Sequence, residues 1–138
     1  MKQLLNLTAA ACLLTSTVAP VALAQSSQIK EADACGFVVD ASGSVVPDAT
    51  VKGMSGEKTV ATATTFSDGS FHFEESINSQ VVVTVTARGF APASETIDRV
   101  KGTKSEKKCK RPIYVVLTPG NGMSFITTKK NRVPRTAR

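Results

Sequence analysis

From Cys35 to Pro119 apolar side chains recur at every second position in short runs, and turn-forming residues close each run. The runs predict seven strands, over 35–40, 49–54, 58–66, 70–75, 80–87, 94–100 and 111–118. Between them lie Ser42-Gly43, Pro47-Asp48, Ser55-Gly56, Asp68-Gly69 and Arg88-Gly89, pairs that suit tight reversals. Valine and threonine dominate the runs, and β-branched side chains fit a pleated, half-buried surface better than a helix. No helical period follows residue 24, so the expected fold class is all-β, a sandwich or small barrel.

The alternation also predicts which faces are buried. Val81, Val83 and Val85 share one face of 80–87 against Val82, Thr84 and Thr86, and Ile113, Val115 and Leu117 oppose Tyr114, Val116 and Thr118. With one Tyr and no Trp, Phe37, Phe66, Phe71, Phe73 and Phe90 are expected as the large core residues. That assignment leaves no aromatic cluster outside for stacking sugars or bases.

Residues 1–24 have a different character. Lys2 precedes an uncharged, mostly apolar run from Leu4 to Val21, and Ala22-Leu23-Ala24 supplies small residues before Gln25. This is the build of a secretory signal peptide. An uncleaved anchor is disfavoured by Asn6, Thr8, Ser16, Thr17 and Pro20, and lipid attachment at Cys12 by the apolar run that continues past it. The expected organisation is therefore a signal over 1–24, a flexible segment over 25–34, the sandwich over 35–119 and a basic, mobile tail over 120–138. Export to the periplasm, cell envelope or extracellular space follows, with no transmembrane segment after cleavage.

Export changes the meaning of the cysteines. Cys35 and Cys109 remain, and an even pair in an oxidising compartment reads as a disulfide closing a 75-residue loop. A zinc cage is short of ligands, since the chain has a single His.

Charge separates the ends from the middle. Residues 25–119 hold eleven Lys and Arg against eleven Asp and Glu, whereas 120–138 hold five cations and no acid. A second basic cluster spans Arg99 to Arg111. Arg99, Lys101, Lys104, Lys107, Lys108, Lys110, Arg111, Lys129, Lys130, Arg132 and Arg135 are therefore the candidate contacts to an anionic partner. Specific nucleic-acid binding is not expected of an exported chain without a recognised motif.

Catalytic readings centre on "TTFSDGSFHFEE", Thr64 to Glu75. His72 and Glu75 have H-x-x-E spacing, but a zinc site of that type needs a second His, and residues three apart on a strand face opposite ways. Ser67 or Ser70 with His72 and Asp68 lacks a nucleophile elbow. Calcium would find only Asp68 and hydroxyls. A hairpin explains the same residues: Thr64 to Phe66 end one strand and Ser67-Asp68-Gly69 turn the chain into the next, with Asp68 and Gly69 structural and His72 facing solvent between inward Phe71 and Phe73.

Three elements occur in order: Gly36, Val38, Asp40, Gly43, Pro47, Ala49 and Val51; then Thr65, Gly69 and Phe71; then Ala87, Gly89, Phe90 and Pro92. Together they resemble the carboxypeptidase regulatory-like domain, here as a stand-alone exported bacterial protein. Asp48 stands where that family usually has glycine, and Phe66 where it has aspartate. The resemblance implies a seven-stranded Greek-key β-sandwich of transthyretin-like, carbohydrate-binding-like architecture, without catalysis and without a cofactor. If its first and last strands run side by side and parallel, Cys35 and Cys109 meet at one end and clamp them.

The expected function is a non-catalytic binding or structural module contacting envelope or extracellular protein or polysaccharide through loops and the basic segment. The alternatives are a carbohydrate-binding domain in the narrow sense and, remotely, a cryptic hydrolase.

Overall fold

The computed structural model describes residues 28–102 and 109–130. The signal assigned to 1–24 lies outside the described residues, as do Lys104, Lys107, Lys108, Arg132 and Arg135. Among the described residues ten strands form: β1 (Ala32–Asp33), β2 (Cys35–Asp40), β3 (Thr50–Ser55), β4 (Lys58–Thr64), β5 (Ser70–His72), β6 (Val81–Thr86), β7 (Ala93–Ile97), β8 (Val100–Lys101), β9 (Ile113–Leu117) and β10 (Phe125–Thr127). They build two four-stranded sheets, ordered β10-β9-β2-β5 and β4-β3-β6-β7, with β1 and β8 as a separate parallel pair. The protein is an all-β sandwich.

The inner faces follow the alternation. Val81, Val83 and Val85 of β6 meet Ile113, Val115 and Leu117 of β9 in the core, each at most 1 % exposed. β2 and β9 lie side by side and parallel, Gly36 opposite Ile113 and Asp40 opposite Leu117. Gly36 permits that approach: a Cβ there would lie 2.0 Å from the Ile113 carbonyl oxygen.

Several expectations are corrected. The turn after Phe66 does not close a hairpin, because β4 pairs with β3 in one sheet while β5 pairs with β2 in the other. The chain crosses the sandwich there, and β5 spans only Ser70–His72 of the strand expected over 70–75, with the Phe73 amide on the Ala34 carbonyl continuing its register past the start of β2. The strand expected over 94–100 breaks at Asp98 and Arg99, since the Asp98 amide donates to the Ile29 carbonyl and its carboxylate accepts from Gln28 and Gln80. Residues 28–34, expected to be flexible, are held in the sandwich: Ala32 and Ala34 are fully buried and Ile29 bridges Ile97. Of the tail, 125–127 add a strand to β9, with Ile126 buried.

The aromatic core is smaller than expected. Phe71 and Phe73 are buried and meet edge to face, whereas Phe90 is only partly buried and Phe37 and Phe66 are 38 % and 52 % exposed. Phe37 points outward because its neighbours Gly36 and Val38 take the inner positions of β2, and it stacks on Tyr114 of β9. Phe66 lies outside the strands and stacks on His72.

Candidate functional site

Three separated segments are drawn together at the edge of the sandwich by hydrogen bonds between backbone and side chains. Residues 28–31 run beside β7, with the Ile29 amide on the Thr96 carbonyl at 3.1 Å. Asp33 then holds the segment before β9: its Oδ2 accepts the amides of Lys110 and Arg111, and its own amide donates to the Arg111 carbonyl at 2.9 Å. The Cys35–Cys109 disulfide anchors the same segment to the start of β2. On the third side, Thr127 Oγ1 accepts the Lys129 amide at 3.1 Å and sets the chain that leaves β10.

Between these segments opens a cleft of about 1100 Å³ whose wall includes Lys30, Arg99, Lys110, Arg111, Lys129 and Lys130. Two acids, Glu31 and Asp98, share the wall, so cations exceed acids by four. Both acids are engaged. Glu31 pairs with Lys101 and Arg111, and Asp98 accepts the side-chain amides of Gln28 and Gln80, each at 2.8 Å. The hydrogen bond from Lys101, with the neighbouring charges of Arg111 and Arg99, holds the Glu31 carboxyl below its usual range. Lys30, Arg99, Lys110, Lys129 and Lys130 have no ion-pair partner among the described residues. Like charges gathered in one concavity focus a positive potential there.

Thus Arg99, Lys110, Arg111, Lys129 and Lys130, candidates from two distant basic stretches, line one cleft, where Arg111 is paired with Glu31, while Lys101, paired with the same Glu31, is not part of its wall. Lys30 was not among those candidates. It lies in a run without alternation, and the contacts of Ile29 with Thr96, Ile97 and Asp98 bring it to the cleft.

The residues of the Thr64 to Glu75 stretch sit elsewhere. Gly69 adopts φ 75°, and its amide donates to the Phe66 carbonyl at 2.9 Å. Asp68 Oδ1 accepts both the amide and the hydroxyl of Ser70, and the Ser70 hydroxyl bond is the main reason its carboxyl is held low. Ser70 therefore spends its proton on Asp68, not on His72, whose ring lies against Phe66. The one metal-capable group among the described residues is Asp33, Cys35 and Cys109, within 4.8 Å of one another. Its two sulfurs are joined to each other, and a disulfide sulfur is not the thiolate a metal requires.

This geometry defines a disulfide-tied β-sandwich with a basic cleft and no assembled nucleophile and base among the described residues. The family model of the carboxypeptidase regulatory-like domain matches residues 35–108, more than half of the chain, and the chain belongs to that family. Its domain is a non-catalytic β-sandwich module. Among curated proteins none matches the chain. The matched span ends before β9 and β10, which complete the β10-β9-β2-β5 sheet and one wall of the cleft.

Proposed function

We propose that this chain is an exported, non-catalytic binding module that holds an anionic partner of the envelope or extracellular space, protein or polysaccharide, in its basic cleft. The convergence of Arg99, Lys110, Arg111, Lys129 and Lys130 on one cleft whose acids are already engaged carries this reading. At about 1100 Å³ the cleft is at the upper end of small-ligand pockets, which suits several units of an extended polyanion. The disulfide fits an oxidising compartment, where such bonds persist.

Polygalacturonate, a carboxylated polysaccharide, serves as a probe, with neutral dextran as control. The oxidised protein binds the first and not the second, and binding weakens as salt rises. Lys129→Glu with Lys130→Glu lowers the affinity by about tenfold or more, because two attractions become repulsions. Equal binding by this variant and the parent overturns the reading.

The narrower carbohydrate reading gains one observation. Tyr114 lines the cleft and stacks on exposed Phe37, so aromatic surface does stand beside the charges. Dextran binding that survives high salt selects it.

A further inference from the structure

The two outer faces of the sandwich are unlike. Outside β4-β3-β6-β7, the exposed or half-exposed positions include Thr50, Lys52, Thr62, Thr84, Ser94 and Thr96, with Thr84 and Ser94 sharing a hydrogen bond. This is the ordinary solvated face of an antiparallel sheet. Outside β10-β9-β2-β5, the strand register sets Phe37 beside Tyr114, and Val39, Val116 and Phe125 in one row, of which Val39 and Val116 are covered while Phe37 and Phe125 stand 38 % and 37 % exposed. Val45, 49 % exposed, extends this row through its bridge to Val39. Large apolar side chains left exposed on one face of a small domain mark an interaction site.

We propose that this face rests on an anionic lipid surface, with Phe37, Val45 and Phe125 entering the interfacial layer and the cations of the cleft meeting the headgroup phosphates. The proposal rests on the reading of the cleft as an anion site and names a partner for it. Charge complementarity selects the occupant. Tyr114 belongs both to the apolar face and to the cleft wall, so the apolar surface runs directly into Lys110, Arg111, Lys129 and Lys130 without an intervening free carboxylate among the described residues. Aromatic rings bordered by Lys and Arg are the composition of membrane interfaces: the rings sit at headgroup level and long cationic side chains reach the phosphates. Val45 offers nothing to sugar hydroxyls, whereas acyl chains accept it without loss. Docking by a face this size is reversible and depends on both terms, apolar contact and charge.

The chain supplies its own reporter, because it has one tyrosine and no tryptophan, and that tyrosine, Tyr114, is on the proposed face. The experiment adds the oxidised protein to vesicles of brominated phosphatidylcholine with and without phosphatidylglycerol and follows tyrosine fluorescence. Phosphatidylglycerol vesicles quench Tyr114 and the quenching reverses at high salt; purely zwitterionic vesicles quench it far less. Phe37→Ser and Val45→Ser, made separately so that one misfolded variant does not decide the matter, each weaken vesicle binding by about tenfold while leaving polygalacturonate binding within about twofold. Quenching unchanged in both variants overturns the lipid proposal and leaves the cleft reading standing. No quenching by anionic vesicles overturns it as well and assigns the face to a protein partner, while loss of polygalacturonate binding in the parent removes the cleft reading itself.

Discussion

Thr65 Oγ1 donates to the Val46 carbonyl at 2.7 Å and accepts the Ala49 amide at 2.8 Å, stitching the turn before β3 to the end of β4. Thr65 is 3 % exposed, and its backbone also pairs with Asp48 and Ala49. Asp48 carries the positive φ of 56° in this turn, so the hydroxyl fixes a backbone that a non-glycine residue adopts reluctantly. Thr65→Val keeps the shape but strands a buried amide and carbonyl, which costs about 1–3 kcal/mol. Urea unfolding measures it; a loss below a few tenths of a kcal/mol contradicts the role given to the hydroxyl.

The disulfide joins residues 74 apart in sequence, at the end where β2 and β9 begin their parallel pairing. Chain-entropy reasoning puts its contribution at about 4.5 kcal/mol as an upper figure, with about 2–4 kcal/mol typical. Cys35→Ser with Cys109→Ser lowers the urea midpoint accordingly. Because Asp33 still holds Lys110 and Arg111, the double variant retains the sandwich at neutral pH. Far-ultraviolet circular dichroism checks this; a coil spectrum there refutes the independent hold by Asp33.

Asp40 accepts the Ser42 hydroxyl at 2.6 Å and the amides of Ser42 and Ser44 at 2.8 and 2.9 Å. The Ser42 hydroxyl bond is the largest cause of a carboxyl pKa lowered from its ordinary 3.8. A lowered folded-state pKa stabilises the fold above the unfolded value, and this contribution disappears as pH falls from 3.8 through the folded value. Asp68 and Glu31 share that direction, so stability falls on the acid side of about pH 4. Asp40→Asn flattens the acid limb of midpoint against pH; an unchanged limb contradicts Asp40 as a contributor.

The sandwich was legible in the sequence because apolar side chains at every second position, Val81, Val83 and Val85 of β6 and Ile113, Val115 and Leu117 of β9, call for a core on one side. The disulfide was legible from the even pair that remains once Cys12 is assigned to a signal over 1–24, and its clamp needed only parallel first and last strands. The crossing at Phe66 was not legible, since a tight Ser-Asp-Gly turn looks the same whether the next strand joins the same sheet or the opposite one. Phe37 misled for a related reason. In "CGFVVD" residues 37 and 38 are both apolar, so alternation alone cannot choose the inward one; the close approach of Gly36 to Ile113 decides it. The basic residues were legible as two clusters, but their meeting depends on Asp33, Asp98 and the Ile29 bridge, contacts that leave no periodic trace.

Backbone-amide NMR of the oxidised protein titrated with polygalacturonate tests the basic cleft most directly. Concerted shifts at Lys30, Arg99, Lys110, Arg111, Lys129 and Lys130, reversed by salt, are the expected result. Shifts confined to the threonine-rich face of β4-β3-β6-β7, or none at polymer excess, would contradict it.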